Sequence, residues 1–324
     1  SDHLNSNGFF QRLLRWAFAP IYKHKAAADI KCIRTCLKTV KEGGSILLFP
    51  TGNRVWADYS FYVDPSVVKL IRMLKVPVLL YQLQGGYGVN PRWNHKKRRG
   101  PFEGRVVREL SVEEIAAMDD DPLYNAVVEG IRYVDWSGSG RYRSKARAEY
   151  LERLLFLCPR CGKVETLRSE GAYVHCDSCG LKVEYGEDLL LHCDDESFPY
   201  RRLVEWYNGE KHWVKEQEIR ENAVIWQDDH ISLCRYQGTE REEMGEISLS
   251  LTDKTLTMGA LTLPVSDITD ATIISGAKLV VTTEEDSYML QGHPRFNAIK
   301  YVLMFNRLET SIKEDKYYSL DDEV

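Results

Sequence analysis

The stretch Cys158-Pro-Arg-Cys-Gly-Lys-Val-Glu-Thr-Leu-Arg-Ser-Glu-Gly-Ala-Tyr-Val-His-Cys-Asp-Ser-Cys-Gly180 separates two halves of different pattern. Cys158 and Cys161 form one Cys-x-x-Cys pair, Cys176 and Cys179 a second, with fourteen residues between them and a glycine after each pair, Gly162 and Gly180. Two such knuckles deliver four thiolates tetrahedrally to one ion, and glycine lets backbone N–H groups approach the sulfurs. The chemistry expected is a structural Zn²⁺ in a zinc ribbon, because four protein ligands leave no open position for water. Iron is the natural substitute and a pair of disulfides the third reading. His175 is read as exposed rather than ligating, and Cys32, Cys36, Cys193 and Cys234 as unpaired buried thiols.

Working outward toward the C-terminus, the pattern alternates with period two over Val224–Trp226, Ile231–Tyr236, Glu246–Leu251, Thr255–Met258, Ile268–Ile274, Lys278–Thr283 and Tyr288–Leu290. Turn residues at short intervals between these runs predict an all-β region. A helix from near Pro294, with Phe296, Ile299 and Leu303 on one face, closes it. About seven strands closed by one helix resemble a PH-like (GRAM or bacterial PH) barrel.

Toward the N-terminus, Tyr142–Leu157 reads as a charged helix leading into the first knuckle, and Ser137-Gly-Ser-Gly140 as a flexible break. Ser111-Val-Glu-Glu114 is a capping box, and Arg105–Leu110 before it is a strand. A basic loop with Arg92, His95, Lys96, Lys97, Arg98 and Arg99 surrounds Trp93; with Phe102 it is expected to be mobile and to touch an anionic membrane surface. Ser66–Leu74 predicts a helix running into a buried strand at Val76–Leu83. Ile30, Ile33, Leu37 and Val40 predict a helix behind an Asp29 cap, stopped by Gly43-Gly44, with a short buried strand at Ser45–Phe49 after it. Phe9–Phe18 reads as a short amphipathic helix. Helix, strand, helix, strand is α/β alternation.

Composition sets the bounds. At 324 residues, 44% hydrophobic and 28% charged, the chain is long enough for about two domains and is neither disordered nor collagenous. No apolar run approaches the ~20 residues of a spanning helix. It opens with Ser1, without an apolar leader behind a basic start, and so reads as a piece of a longer or processed chain. The net charge of −5 is divided: residues 1–110 hold 19 Lys and Arg against 7 Asp and Glu, a net of +12, leaving −17 for the rest. A basic first third points to an anionic ligand or surface. Nucleic acid is not expected as a partner, because the ribbon is nearly neutral and the region after it acidic.

Phe49-Pro-Thr-Gly-Asn-Arg54 resembles the third sequence block of the glycerolipid (lysophosphatidate-type) acyltransferases, which reads Phe-Pro-Glu-Gly-Thr-Arg. The resemblance spans roughly residues 1–110, from Ile21-Tyr-Lys-His-Lys25 to Lys75-Val-Pro-Val-Leu79. Thr51 stands where the family has Glu and Asn53 where it has Thr. The resemblance implies an α/β acyltransferase-like domain in which Thr51, Gly52, Asn53 and Arg54 bind substrate, with Arg54 forking onto a phosphate. It also implies His3 as the general base. Gly8 occupies the position of the family's orienting Asp, so either Asp2 or Asn7 replaces that partner or the dyad is broken.

The organisation expected is therefore an acyltransferase-like domain (1–140), helix and zinc ribbon (141–190), helical linker (191–222), PH-like domain (223–312) and acidic tail (313–324). The activity implied is transfer of a fatty acyl group from acyl-CoA or acyl-carrier protein to a lysophospholipid or glycerol-phosphate-like acceptor. The place implied is the inner, cytoplasmic face of a membrane, bound peripherally. The alternative is a catalytically impaired homologue that serves as a lipid- or acyl-carrier-binding module.

Overall fold

The structure, a computed structural model, describes residues 12–13, 19–21, 30–51, 56–57, 63–132, 140–237, 240–274 and 277–308. The expected helix at Phe9–Phe18 lies largely outside the described residues, and the Asp29 cap, Ser137–Ser139 and the acidic tail wholly so. The chain divides into two compact units: Ser1–Gly52, Val63–Gln82 and Arg105–Arg132 in the first, Asn53–Tyr62, Leu83–Gly104 and Tyr133–Val324 in the second.

In the first unit, helix α1 (Ile30–Lys41) ends where Gly43 turns left-handed at φ +82° and Gly44 N–H returns to the Thr39 carbonyl at 2.9 Å. Helix α2 (Ser66–Leu74) starts at Asp64, whose Oδ1 accepts from Ser66 N–H at 2.8 Å, and buries Val67, Val68 and Ile71. Strands β1 (Val78–Gln84) and β2 (Glu103–Leu110) form a two-stranded sheet. Helices α3 (Val112–Ala117) and α4 (Asp120–Ile131) follow. The capping box expected at Ser111 is present on its N-cap side, with Ser111 Oγ accepting from Glu114 N–H at 3.1 Å. Arg72 fastens α2 to the α3–α4 connection, donating to the carbonyls of Ile115 (2.8 Å) and Met118 (2.6 Å) and to Asp120 (2.7 Å).

Two expectations for this unit need correction. Ser45–Phe49 belongs to no strand, and Leu47, Leu48 and Phe49 are 75%, 48% and 61% exposed. Only Leu80 of β1 is buried, with Leu79, Tyr81 and Leu83 exposed. An apolar run becomes a buried strand only with hydrogen-bonding neighbours beside it and layers on both faces, and among the described residues this sheet has two strands. The described residues thus do not show the α/β acyltransferase-like sheet.

The second unit contains a contiguous apolar core that runs from Trp56 through the ribbon to Phe305. Tyr142–Leu157 is not the expected helix: Tyr150 turns left-handed at φ +69° and only Leu151–Arg153 makes a 3₁₀ turn. Leu151, Leu154, Leu155, Phe156 and Leu157 are all buried, which no single helix face allows. Arg153, 2% exposed, spends its donors on the Pro294 and Trp93 carbonyls rather than on helical neighbours. Strands β3 (Leu167–Glu170), β4 (Tyr173–Cys176), β5 (Lys182–Tyr185) and β6 (Leu191–His192) pair antiparallel in that order.

Helix α5 (Leu203–Glu216) begins where Glu205 Oε2 accepts from the Arg201 and Arg202 N–H groups at 2.7 and 2.9 Å. Seven antiparallel strands follow: β7 (Trp226–Gln237), β8 (Glu240–Leu251), β9 (Thr255–Met258), β10 (Leu261–Pro264), β11 (Asp270–Ile274), β12 (Lys278–Thr282) and β13 (Ser287–Gln291). They curl into a half-barrel ordered β10-β9-β8-β7-β13-β12-β11. The runs expected separately around Val224 and Ile231 are one strand broken by a bulge after Asp228. Leu261–Pro264, too short to show alternation, is a strand the sequence reading missed. Helix α6 (Ile299–Leu308) buries Ile299 through Phe305. No helix among the described residues is long and apolar enough to cross a membrane.

Candidate metal centre

Each knuckle closes by the same two backbone bonds. Cys158 N–H donates to Lys163 O (3.0 Å) and Gly162 N–H to Cys158 O (2.9 Å), matched by Cys176 to Leu181 (2.8 Å) and Gly180 to Cys176 (2.9 Å). Gly162 and Gly180 sit at φ +67° and +73°, where a Cβ would strain the turn. Strand register does the rest: β3 pairs Leu167 with Cys176, bringing the second knuckle alongside the loop that leaves the first.

The four sulfurs lie within 4.8 Å of one another, and Cys158 to Cys179 and Cys161 to Cys176 measure 3.6 and 3.8 Å. A tetrahedron with metal–sulfur bonds of about 2.3 Å requires sulfur separations of about 3.8 Å, whereas a disulfide requires about 2.05 Å. None of the eight cysteines is joined in a disulfide. The donor set therefore fits a thiophilic ion. Burial pushes the Cys158 thiol up to about 12. Burial also opposes ionisation of Cys176, but the Thr166 hydroxyl at 3.1 Å and the Cys179 and Ser178 N–H groups outweigh it and bring that thiol down to about 6. Thr166 carries no signal in the sequence beyond its place between the knuckles.

The centre is braced from behind. Glu210 of α5 is 1% exposed, and its Oε1 accepts from the Phe156 and Leu157 N–H groups at 2.8 Å each. Trp206 Nε1 donates to Leu157 O at 3.0 Å. Lys300 of α6, with its side chain wholly buried, pairs with Asp228 at 2.7 Å and with Glu165, three residues beyond Gly162. His175 turns to Asp177 at 3.3 Å and is not among the gathered ligands. Of the remaining cysteines, Cys36 and Cys234 are buried, whereas Cys32 and Cys193 are only half-buried, contrary to expectation.

The other expected site residues fare differently. Asp2, His3, Gly52, Asn53 and Arg54 lie outside the described residues, and Thr51 occupies a turn after Pro50. The basic loop does not present Trp93 to a surface, as the expected membrane contact requires. Trp93 is 0% exposed, and the buried Arg98 guanidinium lies 5.0 Å from its ring and 4.9 Å from that of Tyr185. Arg98 also donates to Arg147 O at 2.7 Å, so both residues belong to the core. His95, Lys96, Lys97 and Arg99 stay exposed.

The fold and centre together define a four-cysteine ribbon that shares one apolar core with an antiparallel half-barrel. No family model and no curated protein matches the chain. Among solved structures it is similar to a chain of "The 8S snRNP Assembly Intermediate" at a TM-score of 0.24 and 12% identity, over 32% of this chain and 95% of that one. A likeness that low carries no argument about fold or function.

Proposed function

We propose that Cys158, Cys161, Cys176 and Cys179 hold one structural Zn²⁺ that staples a PH-like second unit, and that this unit serves an acyl-transferring first unit at an anionic membrane surface. The observation that carries the zinc reading is the set of sulfur separations, 3.6 and 3.8 Å, in a closed four-ligand shell. The single C-terminal helix behind seven antiparallel strands supports the PH-like reading.

The acyl-transfer reading rests on the resemblance of Phe49–Arg54 to the acyltransferase block, behind a helix that ends at Gly43-Gly44. In this reading His3, oriented by Asp2, removes the acceptor hydroxyl's proton and Arg54 clamps its phosphate, while acyl-CoA or acyl-carrier protein donates the acyl group. Transfer of labelled acyl groups from either thioester to a panel of lysophospholipids tests it. Arg54→Ala should lower kcat/KM by about 30- to 1000-fold, the loss of a charged contact worth roughly 2 to 4 kcal/mol. Absence of any transfer, with His3→Ala indistinguishable from the parent in lipid binding, would leave the second reading, a lipid- or carrier-binding module. Thr51 in place of the block's carboxylate favours that second reading.

A further inference from the structure

An open cleft of about 1060 Å³ in the second unit is lined by Arg99, Arg141, Arg143, Lys145 and Arg147, with Glu187 its one carboxylate. Tyr142, between the lining residues Arg141 and Arg143, is itself only 3% exposed. A Cβ on Gly88, Gly100 or Gly140 would come within 2.3 to 2.8 Å of the Tyr142 ring, so three glycines shape the slot that holds it. With Tyr142 turned inward, the period-two alternation of extended chain sends Arg141 and Arg143 outward together. Both are exposed.

Arg143 is bridged antiparallel to Arg99 by reciprocal backbone bonds of 3.0 and 2.7 Å. Residues directly opposite in such a pair project to the same face, and like charges there destabilise the pairing. Among the described residues little offsets that repulsion. Glu187 reaches only Arg143, at 3.9 Å, and among the described residues Arg99, Arg141 and Lys145 have no ion pair. Arg147 is already committed to Glu184 and to the Tyr185 carbonyl at 2.6 Å. Counted over the described residues, the cleft therefore keeps a formal excess of three positive charges after Glu187 and Glu184. One phosphate monoester carries about 1.5 to 2 negative charges at neutral pH, too few to balance it.

We propose that this cleft binds a ligand bearing two phosphate groups, held by Arg99, Arg141, Arg143 and Lys145. The Ser144 hydroxyl, which accepts from Ala146 N–H at 3.1 Å, keeps its own proton to donate to the ligand. The proposal does not depend on acyl transfer or on the Phe49–Arg54 block. Two phosphates can arrive on a soluble molecule or on adjacent lipid headgroups; the chemistry at the cleft is the same.

The test titrates inorganic pyrophosphate into the full, metal-loaded chain by calorimetry at low ionic strength, with metal content checked afterwards. Cosedimentation with phosphatidic acid vesicles runs beside it. Arg99→Gln/Arg141→Gln/Lys145→Gln should weaken pyrophosphate binding by at least about tenfold. Lys96→Gln/Lys97→Gln, which removes exposed cations outside the cleft, should leave it unchanged. Should the triple variant not fold, Arg141→Gln alone should weaken binding and Arg141→Lys should restore most of it. Loss of vesicle binding in the triple variant assigns a headgroup source, and retention assigns a soluble phosphate. No pyrophosphate binding by the parent chain at millimolar concentration, equal binding by the cleft variants, or an equal loss in the Lys96/Lys97 control overturns the proposal.

Discussion

The first unit forms its helices where the sequence places them yet leaves Leu47, Phe49, Leu79, Tyr81 and Val106 exposed; the second unit gathers Trp93, Phe156, Trp206, Tyr301 and Phe305 into one core. Both halves contain apolar runs of similar strength. The difference is what those runs meet. In the second unit each strand has a hydrogen-bonded neighbour and a metal-capable ribbon with two helices packed on it, whereas in the first the described sheet stops at two strands. Periodicity states that a face is apolar, and only partners decide whether it is buried.

That contrast can be broken most severely at the cysteines. Elemental analysis should find about one zinc per chain. Stripping it, or Cys176→Ser, should cost several kcal/mol and lower the second unit's unfolding midpoint by on the order of 10 °C, because the two knuckles would lose the ion that ties them together. A metal-free protein of unchanged midpoint would remove the staple from the account.

Next in size is Trp206→Ala, which empties a fully packed site and orphans the Leu157 carbonyl; a loss of about 3 to 5 kcal/mol is expected in denaturant unfolding. A smaller, pH-dependent effect belongs to Glu210, whose carboxyl burial pushes well above the usual range despite the two backbone donors. The folded state then holds a proton that the unfolded chain has released. The native state therefore loses stability as pH rises above the ordinary glutamate range, and the loss levels off above the raised native value. Glu210→Gln retains an acceptor for the Phe156 and Leu157 N–H groups, and it should flatten the fall in stability above the ordinary glutamate range, measured with zinc present. An unchanged slope would place the proton elsewhere. The smallest effect is expected in the first unit, where Leu47→Ser and Leu48→Ser should each shift stability by no more than about 0.5 kcal/mol. A loss comparable to that of Trp206→Ala would mean that this run is buried after all and that the two units are more alike than described.

Much of the metal centre was legible. Ligand type, spacing and the glycines after each pair are local properties, and the knuckles form with the bonds that such residues allow. The cleft was not legible, although its cations stand close together in Arg141-Tyr-Arg-Ser-Lys-Ala-Arg147. Read as a helix, that run scatters its charges around an axis; in extended form with Tyr142 inward, it presents two of them on one side. What excluded the helix is long-range: Arg153 reaches the Pro294 carbonyl and Arg147 reaches Glu184.

Residue chemistry within a few positions was enough to set α1, α2, the Ser111 cap, the paired-cysteine knuckles and most strands of the half-barrel. Helix stops, capping hydroxyls, period-two alternation and paired thiols act through neighbours in the chain, where no loop must first be closed. Contacts distant in sequence decided that Trp93 and Arg98 are core rather than surface, that β7 is one bulged strand, and that Lys300 reaches the ribbon. Burial and charge pairing depend on which groups the fold brings together, and a linear pattern carries only half of each such pair.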